Sequence, residues 1–341
     1  MKILSPCSSK EEVVPLIQAG ANELYCGVVP SEWSDKYGMF DTLNRREGYG
    51  ANFSNFGDLR EAVALAHGKG VPAFVTMNGL YTQDQIPLVL ELNQALKNIR
   101  VDGLIIADIA LLLLLQKERH FEHIHVGTGG TTFNSKTADF YRANGASRII
   151  LPRHLTVSEI QDLTQGCKSD VEFEVFVLNT LCQNIDGFCT FYHGLPFLDK
   201  EIAPKMDQTN VRFFHSHDLD YKGHGCHLNF SKKVFDAQGK DVPGRLGEET
   251  TRHFGKRCGA CALFDLQNTN IASLKIVERS APTKDKICDT KFMKGVLGLL
   301  EKGLSKEQFV AQTQDLYCNT YNYETCSGFT CYYPSVFAAP T

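Results

Sequence analysis

The chain has one tryptophan and five methionines in 341 residues, and no apolar run longer than Ile109 to Leu115. A membrane-spanning helix needs about 20 apolar residues, so no span is expected. Met1-Lys2-Ile3-Leu4-Ser5-Pro6 carries one lysine and no long apolar stretch, so a secretory signal is not expected there. His-Glu-x-x-His is absent, which removes the commonest metalloprotease signature, and so is the Gly-x-Ser-x-Gly nucleophile elbow. No Gly-x-Gly-x-x-Gly turn follows the first apolar run, which argues against an open dinucleotide-binding sheet. Charge of either sign is in short surplus: 35 basic against 39 acidic residues give a net charge of −4. Such a balance disfavours a chain dominated by phosphate contacts, although a local basic groove would not show in it.

Short apolar runs alternate with helical patterns along most of the chain. Strands are expected at Lys2–Pro6, Glu23–Gly27, Pro72–Asn78, Gly103–Asp108, His123–Thr128, Arg148–Pro152, Glu172–Leu178 and Ser273–Glu278. These runs are rich in Val, Ile and Phe, as strands buried on both faces should be. Helices are expected at Glu11–Ala19, Asp58–His67, Ile86–Ile99, Ile109–Arg119, Ser135–Asn144 and Val157–Thr164. Ser135 and Thr156 are candidate caps, and Gly20, Gly68 and Gly145 are candidate stops. Eight strands alternating with helices predict a (β/α)8 TIM-type barrel over residues 1–295. A cysteine-rich excursion, 179–265, falls between strands seven and eight, and a helical, aromatic extension, 296–341, follows.

What is abundant is cysteine. Twelve cysteines with no export signal imply a reducing, cytoplasmic setting and metal or redox chemistry. Cys182, Cys189, Cys226, Cys258 and Cys261 all fall in the excursion, about 95 residues long and far beyond an ordinary connection. Loops that follow barrel strands open on the C-terminal face, where barrel active sites lie. Iron–sulfur clusters and structural zinc both accept four thiolates, so spacing alone leaves both open. His215, His217, His224 and His227 surround Cys226 and add imidazoles to a zinc alternative. On that alternative the chain is a zinc-stapled binding protein. Cys318, Cys326 and Cys331 stand in an aromatic tail with Tyr317, Tyr321, Tyr323, Tyr332 and Tyr333. Three thiols do not complete a four-cysteine site, so these read as a second metal set or as core thiols.

Several motifs together resemble the collagenase-like peptidase family U32. Gly20-Ala21-Asn22-Glu23-Leu24-Tyr25 is similar to its Gly-Ala-Asp-x-Val-Tyr strand. Asn52-Phe53-Ser54 with Asp58-Leu59 resembles its entry to a helix, Thr76-Met77-Asn78 its third strand end, and Asn134-Ser135 its Thr-x-Asn-Ser helix start. Ile150-Leu151-Pro152-Arg153 and Ser273 through Arg279 resemble strands six and eight. Cys182 with Gly187-Phe188-Cys189 resembles its cysteine signature. His154 stands where the family usually has Glu, and Asp186 and Phe188 replace Ser and Arg. The resemblance implies a barrel with a [4Fe–4S] cluster held by Cys182, Cys189, Cys226 and either Cys258 or Cys261, with Cys258 at the separation expected from strand eight. It also implies an oxygen-independent hydroxylase of RNA bases or a quinone precursor, with prephenate as the oxygen donor. The family's peptidase label is the alternative activity, and a homodimer or a heterodimer with a paralogue is a further expectation.

Asn78, Arg153 and Arg279 fall at or just past strand ends and are the candidate catalytic residues; arginine forks suit a dicarboxylate such as prephenate. Lys275 and Glu278 are expected within strand eight on opposite faces, Lys275 either at the site or in a buried ion pair. Arg45 and Arg46 are placed to reach over the mouth. Lys205, Arg212, Lys232, Lys233, Arg252, Lys256 and Arg257, with Phe213, Phe214, Tyr221, Phe230 and Phe254, are the excursion's candidates for RNA contact and stacking.

Overall fold

Short strands buried on both faces bury most surface by closing on themselves. In the computed structural model, which describes residues 1–37, 43–45, 50–118, 121–179, 185–188, 256–326 and 331–336, they do so. The strands are β1 (Lys2–Pro6), β2 (Glu23–Cys26), β3 (Ala73–Met77), β4 (Gly103–Ile106), β5 (His123–Val126), β6 (Arg148–Ile150), β7 (Glu172–Leu178) and β8 (Ile271–Ile276). Each pairs in parallel with the next, and β1 pairs with β8 through Lys2↔Ser273, Ile3↔Leu274 and Leu4↔Lys275, closing the barrel. The expected (β/α)8 architecture is what the chain adopts.

The outer layer comprises α1 (Lys10–Ala19), α3 (Phe56–His67), α4 (Ile86–Ile99), α5 (Ile109–Glu118), α6 (Ser135–Ala143) and α7 (Val157–Gly166), with a short α2 (Ser31–Tyr37) after β2. Thr156 caps α7 in a full capping box, as its sequence suggests. The cap of α6 is Asn134, not Ser135: its side chain accepts from the Thr137 amide at 3.0 Å, and Ser135 is the first helical residue. β8 stops at Ile276, so Glu278 lies outside it, in a left-handed turn at φ 74°.

One long helix has no signal in the sequence, and a second falls in the extension expected to be helical. Thr283–Leu300 follows β8 as the eighth barrel helix and runs through residue 295, the boundary expected for the barrel. Its buried side includes Lys286 and Asp289, so its polar and apolar positions do not sort by period. The Lys286 ammonium is satisfied by Glu12 at 2.8 Å, and Asp289 accepts from Lys256 at 2.7 Å. Lys306–Tyr321, capped by Ser305, packs against it and forms the extension. Among the described residues, no helix is long and apolar enough to cross a membrane.

The barrel interior is charged at one level. The Arg148 guanidinium donates to both Glu23 oxygens at 2.7 and 2.9 Å, spanning the barrel from β6 to β2. Glu174 on β7 accepts from Arg148 at 3.4 Å and from Lys275 at 2.8 Å, and Ser273 donates to Glu23 at 2.9 Å. Lys275 is thus the buried ion pair of the two expected roles. Beside this network, His125 is buried against the Phe74 ring, centroids 4.4 Å apart. Burial holds its imidazole neutral well below the ordinary histidine range, and the Arg148 and Lys275 charges push the same way.

This generates a pH dependence. His125 has a depressed folded value, so its contribution is complete above the unfolded value near 6.5 and is lost as pH falls below it, where the unfolded chain takes a proton that the folded chain refuses. The expected slope is up to about 1.4 kcal/mol per pH unit. Denaturant titrations at about pH 7.5 and about pH 5.5 will show stability falling into acid, with a shallower slope for His125→Gln. Equal slopes would assign the acid sensitivity elsewhere.

Candidate active site at the C-terminal mouth of the barrel

Parallel strands present their C-terminal ends on one rim, and the loops that follow them build the site. Arg279 comes from the loop after β8 and is 6% exposed. Its guanidinium donates to Thr76 Oγ1 at 2.7 Å, Asn52 Oδ1 at 3.1 Å and Asn44 Oδ1 at 3.0 Å. Asn44 in turn donates to Asn52 at 2.8 Å, and Thr76 donates to the Cys26 carbonyl at 2.9 Å. Three neutral side chains from the ends of β2 and β3 therefore aim this fork. Gly27 makes room for it, since a Cβ there would overlap the guanidinium and the Asn52 amide.

Arg153, after β6, is held differently. It donates from Nη2 to Asp186 Oδ1 at 2.8 Å and from Nε and its own backbone amide to Oδ2 at 3.2 and 3.0 Å. Its guanidinium also lies 4.7 Å from the Phe176 ring centroid. Burial would raise the Asp186 carboxyl, but Arg153 and its hydrogen bonds outweigh that and hold it below the usual range. Arg153 therefore meets a carboxylate of its own chain. The contact fixes residues 185–188 on the rim, where Gly187, at φ 89°, lies against Thr131 and the Thr128 carbonyl beyond β5.

Arg45 completes the set. A Cβ on Gly129 would lie 3.3 Å from Arg45 Nη1, so this guanidinium reaches over the end of β5 while its neighbour Asn44 holds Arg279. Among the described residues Arg45 makes no hydrogen bond or ion pair with protein. Asn78, past β3, keeps a buried Oδ1 without a partner, and both ring nitrogens of His154, past Arg153, are likewise buried and unpartnered. His154 stood in the sequence only as a departure from a family pattern; its unpaired nitrogens are a property of the fold. A cavity of about 640 Å³, lined by Leu115, Lys117, Phe121 and Glu122, lies at the opposite end, before β5, away from these groups.

The cysteines divide. Cys182, Cys189, Cys226, the excursion histidines, its aromatics and basic residues from Lys205 to Arg252, and Arg46 lie outside the described residues. Cys258 and Cys261 are buried at the end of β7, where Cys258 is bridged to Leu178 and to Cys331. Among the described residues no three His, Cys, Asp or Glu side chains are already arranged to hold a metal ion. Burial pushes the Cys26 and Cys261 thiols up to about 12 and Cys7 and Cys258 well above the usual value, so none of these four is an activated nucleophile.

The Arg279 cradle can be tested directly. Gly27→Ala is expected to cost about 1–3 kcal/mol through overpacking, measured by denaturant unfolding. An unchanged midpoint would mean that the guanidinium moves aside freely and is not fixed by its three partners.

Among relatives, "tRNA hydroxylation protein P2" of Bacillus subtilis is 24% identical over 65% of this chain and 66% of its own length. An "uncharacterized protease" of Methanocaldococcus jannaschii is 29% identical over 55% of this chain and 43% of its own. A "collagenase" of Porphyromonas gingivalis is 23% identical over 55% and 44%. The chain thus spans from under half to about two thirds of the length of these relatives. The model of peptidase family U32 matches residues 8–207, well over half of the chain and every strand from β2 to β7. With those strands closed into a barrel and the Asn52, Thr76 and Arg153 motifs gathered on its rim, the chain belongs to peptidase family U32.

Proposed function

We propose that the chain is an RNA-base hydroxylase that takes its oxygen from a carboxylate-bearing donor, such as prephenate, rather than from dioxygen. The observation that carries this is Arg45, a guanidinium over the mouth with no protein partner among the described residues, tied through Asn44 to the aimed fork of Arg279. Two arginine forks on one short loop and the strand ends beneath it suit the two carboxylates of such a donor. Asn78 and His154 offer unpaired polar atoms on the same rim for the remaining oxygens of donor or base. Several relatives named as tRNA hydroxylation proteins support RNA as the substrate.

A [4Fe–4S] cluster, anchored on Cys182, Cys189 and Cys226, belongs to this reading. When bound it would supply one-electron chemistry beside the mouth. The fit rests on residues 185–188, which lie between two of those cysteines in sequence and are pinned to the rim by Arg153 and Thr131. Cys258 is the fourth ligand on this reading, with Cys261 as the alternative; both are buried, and Cys258 is bridged to Leu178 at the end of β7. The protease and collagenase names of other relatives favour a peptidase, but among the described residues the buried thiols of Cys7, Cys26, Cys258 and Cys261 are held protonated and do not supply its nucleophile.

RNA from cells lacking this protein and grown without oxygen will lack one hydroxylated nucleoside by mass spectrometry. A missing hydroxyl on an isoprenoid quinone, with RNA unchanged, would move the substrate to that class. Protein purified without oxygen will be brown with about four irons per chain, and Cys182→Ala or Cys189→Ala will bleach it whereas Cys167→Ala will not.

Arg279→Lys and Arg45→Ala will each weaken donor binding while the chain stays folded, by about 2–5 kcal/mol for the buried Arg279 fork and less for Arg45. Donor affinity unchanged in both, by calorimetry, would place the donor elsewhere.

A further inference from the structure

Arg45 stands over the end of β5 with no side-chain partner among the described residues, so its backbone alone decides where the guanidinium lies. That backbone is held at the two residues before it. Leu43 is fully buried, and its carbonyl accepts from two donors, the Tyr81 hydroxyl at 2.7 Å and the Gly79 amide at 3.2 Å. The Asn44 side-chain nitrogen donates to Asn52 Oδ1 at 2.8 Å and to the Val28 carbonyl at 3.4 Å, while its oxygen accepts from Arg279. Arg45 follows at φ 58°, in the left-handed region, where a residue other than glycine persists only when its surroundings hold it.

Tyr81 is itself anchored. Its amide donates to Asp108 Oδ2 at 3.1 Å, and the other oxygen of that carboxylate accepts from the Leu111 amide in the first turn of α5 at 3.0 Å. Its ring stands edge-on to Trp33 of α2, centroids 6.1 Å apart, and Trp33 is 1% exposed. Burial pushes the phenol well above its usual range, so the hydroxyl stays protonated and donates. The Gly79 amide already satisfies the Leu43 carbonyl, which has room for a second donor, so the hydroxyl adds direction where no unmet polar group required it. A carbonyl gripped by two donors from the loop after β3 loses its freedom to swing, and the next two residues inherit that constraint.

We propose that Tyr81 is a positioning residue for Arg45: through the Leu43 carbonyl its hydroxyl sets the separation of the Arg45 and Arg279 guanidinium groups, and so selects a donor with two carboxylates over one with a single carboxylate. The inference rests on the reading of the mouth as the donor site. Tyr81 touches no substrate on this account and acts only through the segment 43–45. Arg279 is aimed independently by Thr76 and Asn52, so it would still hold one carboxylate when the hydroxyl is gone. What the hydroxyl contributes is the second contact, because an arginine without a partner of its own has nothing else to fix it before the ligand arrives.

The test compares the full wild-type chain with Tyr81→Phe, which keeps the buried ring and removes only the hydroxyl. By calorimetry, binding of prephenate should weaken about threefold to tenfold, the range of one hydrogen bond. Binding of phenylpyruvate, which has the 2-oxo-acid carboxylate and lacks the second, should change by less than about twofold, since the hydroxyl bond serves only the second contact. In an Arg45→Ala background Tyr81→Phe should have no further effect on prephenate, because the two residues act as one unit. Equal weakening of both acids, or additive losses in the double variant, would overturn the assignment. So would a shifted emission maximum of Trp33, the single tryptophan, since the hydroxyl would then serve packing of the aromatic cluster. A second measurement needs no donor: amide exchange in a peptide spanning residues 43–45 should quicken about tenfold in Tyr81→Phe while the barrel strands stay protected. Unchanged exchange there would also overturn the proposal. A wild-type chain that binds neither acid would sink the donor reading by itself, whereas the hold of Tyr81 on this segment stands or falls on the exchange.

Discussion

Arg148 lies inside the barrel, 2% exposed, and bridges β6 to Glu23 on β2 and Glu174 on β7. A buried guanidinium must be paired, and here the pairing crosses the cylinder, so strands that never touch one another are bound to one group. Removing a single partner would strand a charge in the interior, at about 3–5 kcal/mol. Such a network contributes less net stability than its hydrogen bonds suggest, because desolvation opposes it. What it imposes is register: Glu23, Arg148, Glu174, Ser273 and Lys275 must all face inward at compatible heights, and a one-residue slip in any of their strands would turn its member outward.

With the interior fixed in this way, the rim can hold arginines in two electrostatic states. Arg153 is matched by Asp186, and their opposite charges largely cancel toward an incoming anion. Arg279 is aimed by amides and a hydroxyl, which supply geometry through dipoles. Arg45 is oriented by the bend of its own loop, at φ 58°. The sequence presents Arg153 and Arg279 as equivalent strand-end arginines. The difference between them lies in Asp186 and Asn44, both loop residues whose partners come from other strands.

Legibility followed the range of the signal. The eight strands could be read because each is a local apolar run bounded by turns, and α7 because Thr156 and Glu159 form a capping box within four residues. Thr283–Leu300 could not be read, because Lys286 and Asp289 face inward and take partners from Glu12 and Lys256 elsewhere in the chain. The placement of Cys258 beside Cys331 was hidden for the same reason. Nothing in the tail indicates that Cys331 pairs with Cys258; the bridge becomes visible once β7 supplies the edge on which both stand. Arg45 was legible as a candidate from its loop, but its lack of a partner among the described residues is a fact about three dimensions.

The closure of the barrel by Lys2↔Ser273 has a consequence for how the protein is made. Among the barrel strands β1 leaves the ribosome first and its second neighbour, β8, last, so β1 offers one row of unpaired backbone groups until β8 arrives. β1 is short, with Lys2 at one end and Pro6 at the other, and both residues discourage pairing with a stray strand. Contacts between strands so far apart in sequence are also slow to form, since the loop to be closed is long. The nascent chain would therefore pass through an open, unclosed sheet, vulnerable in proportion to the time spent waiting for residues 271–276.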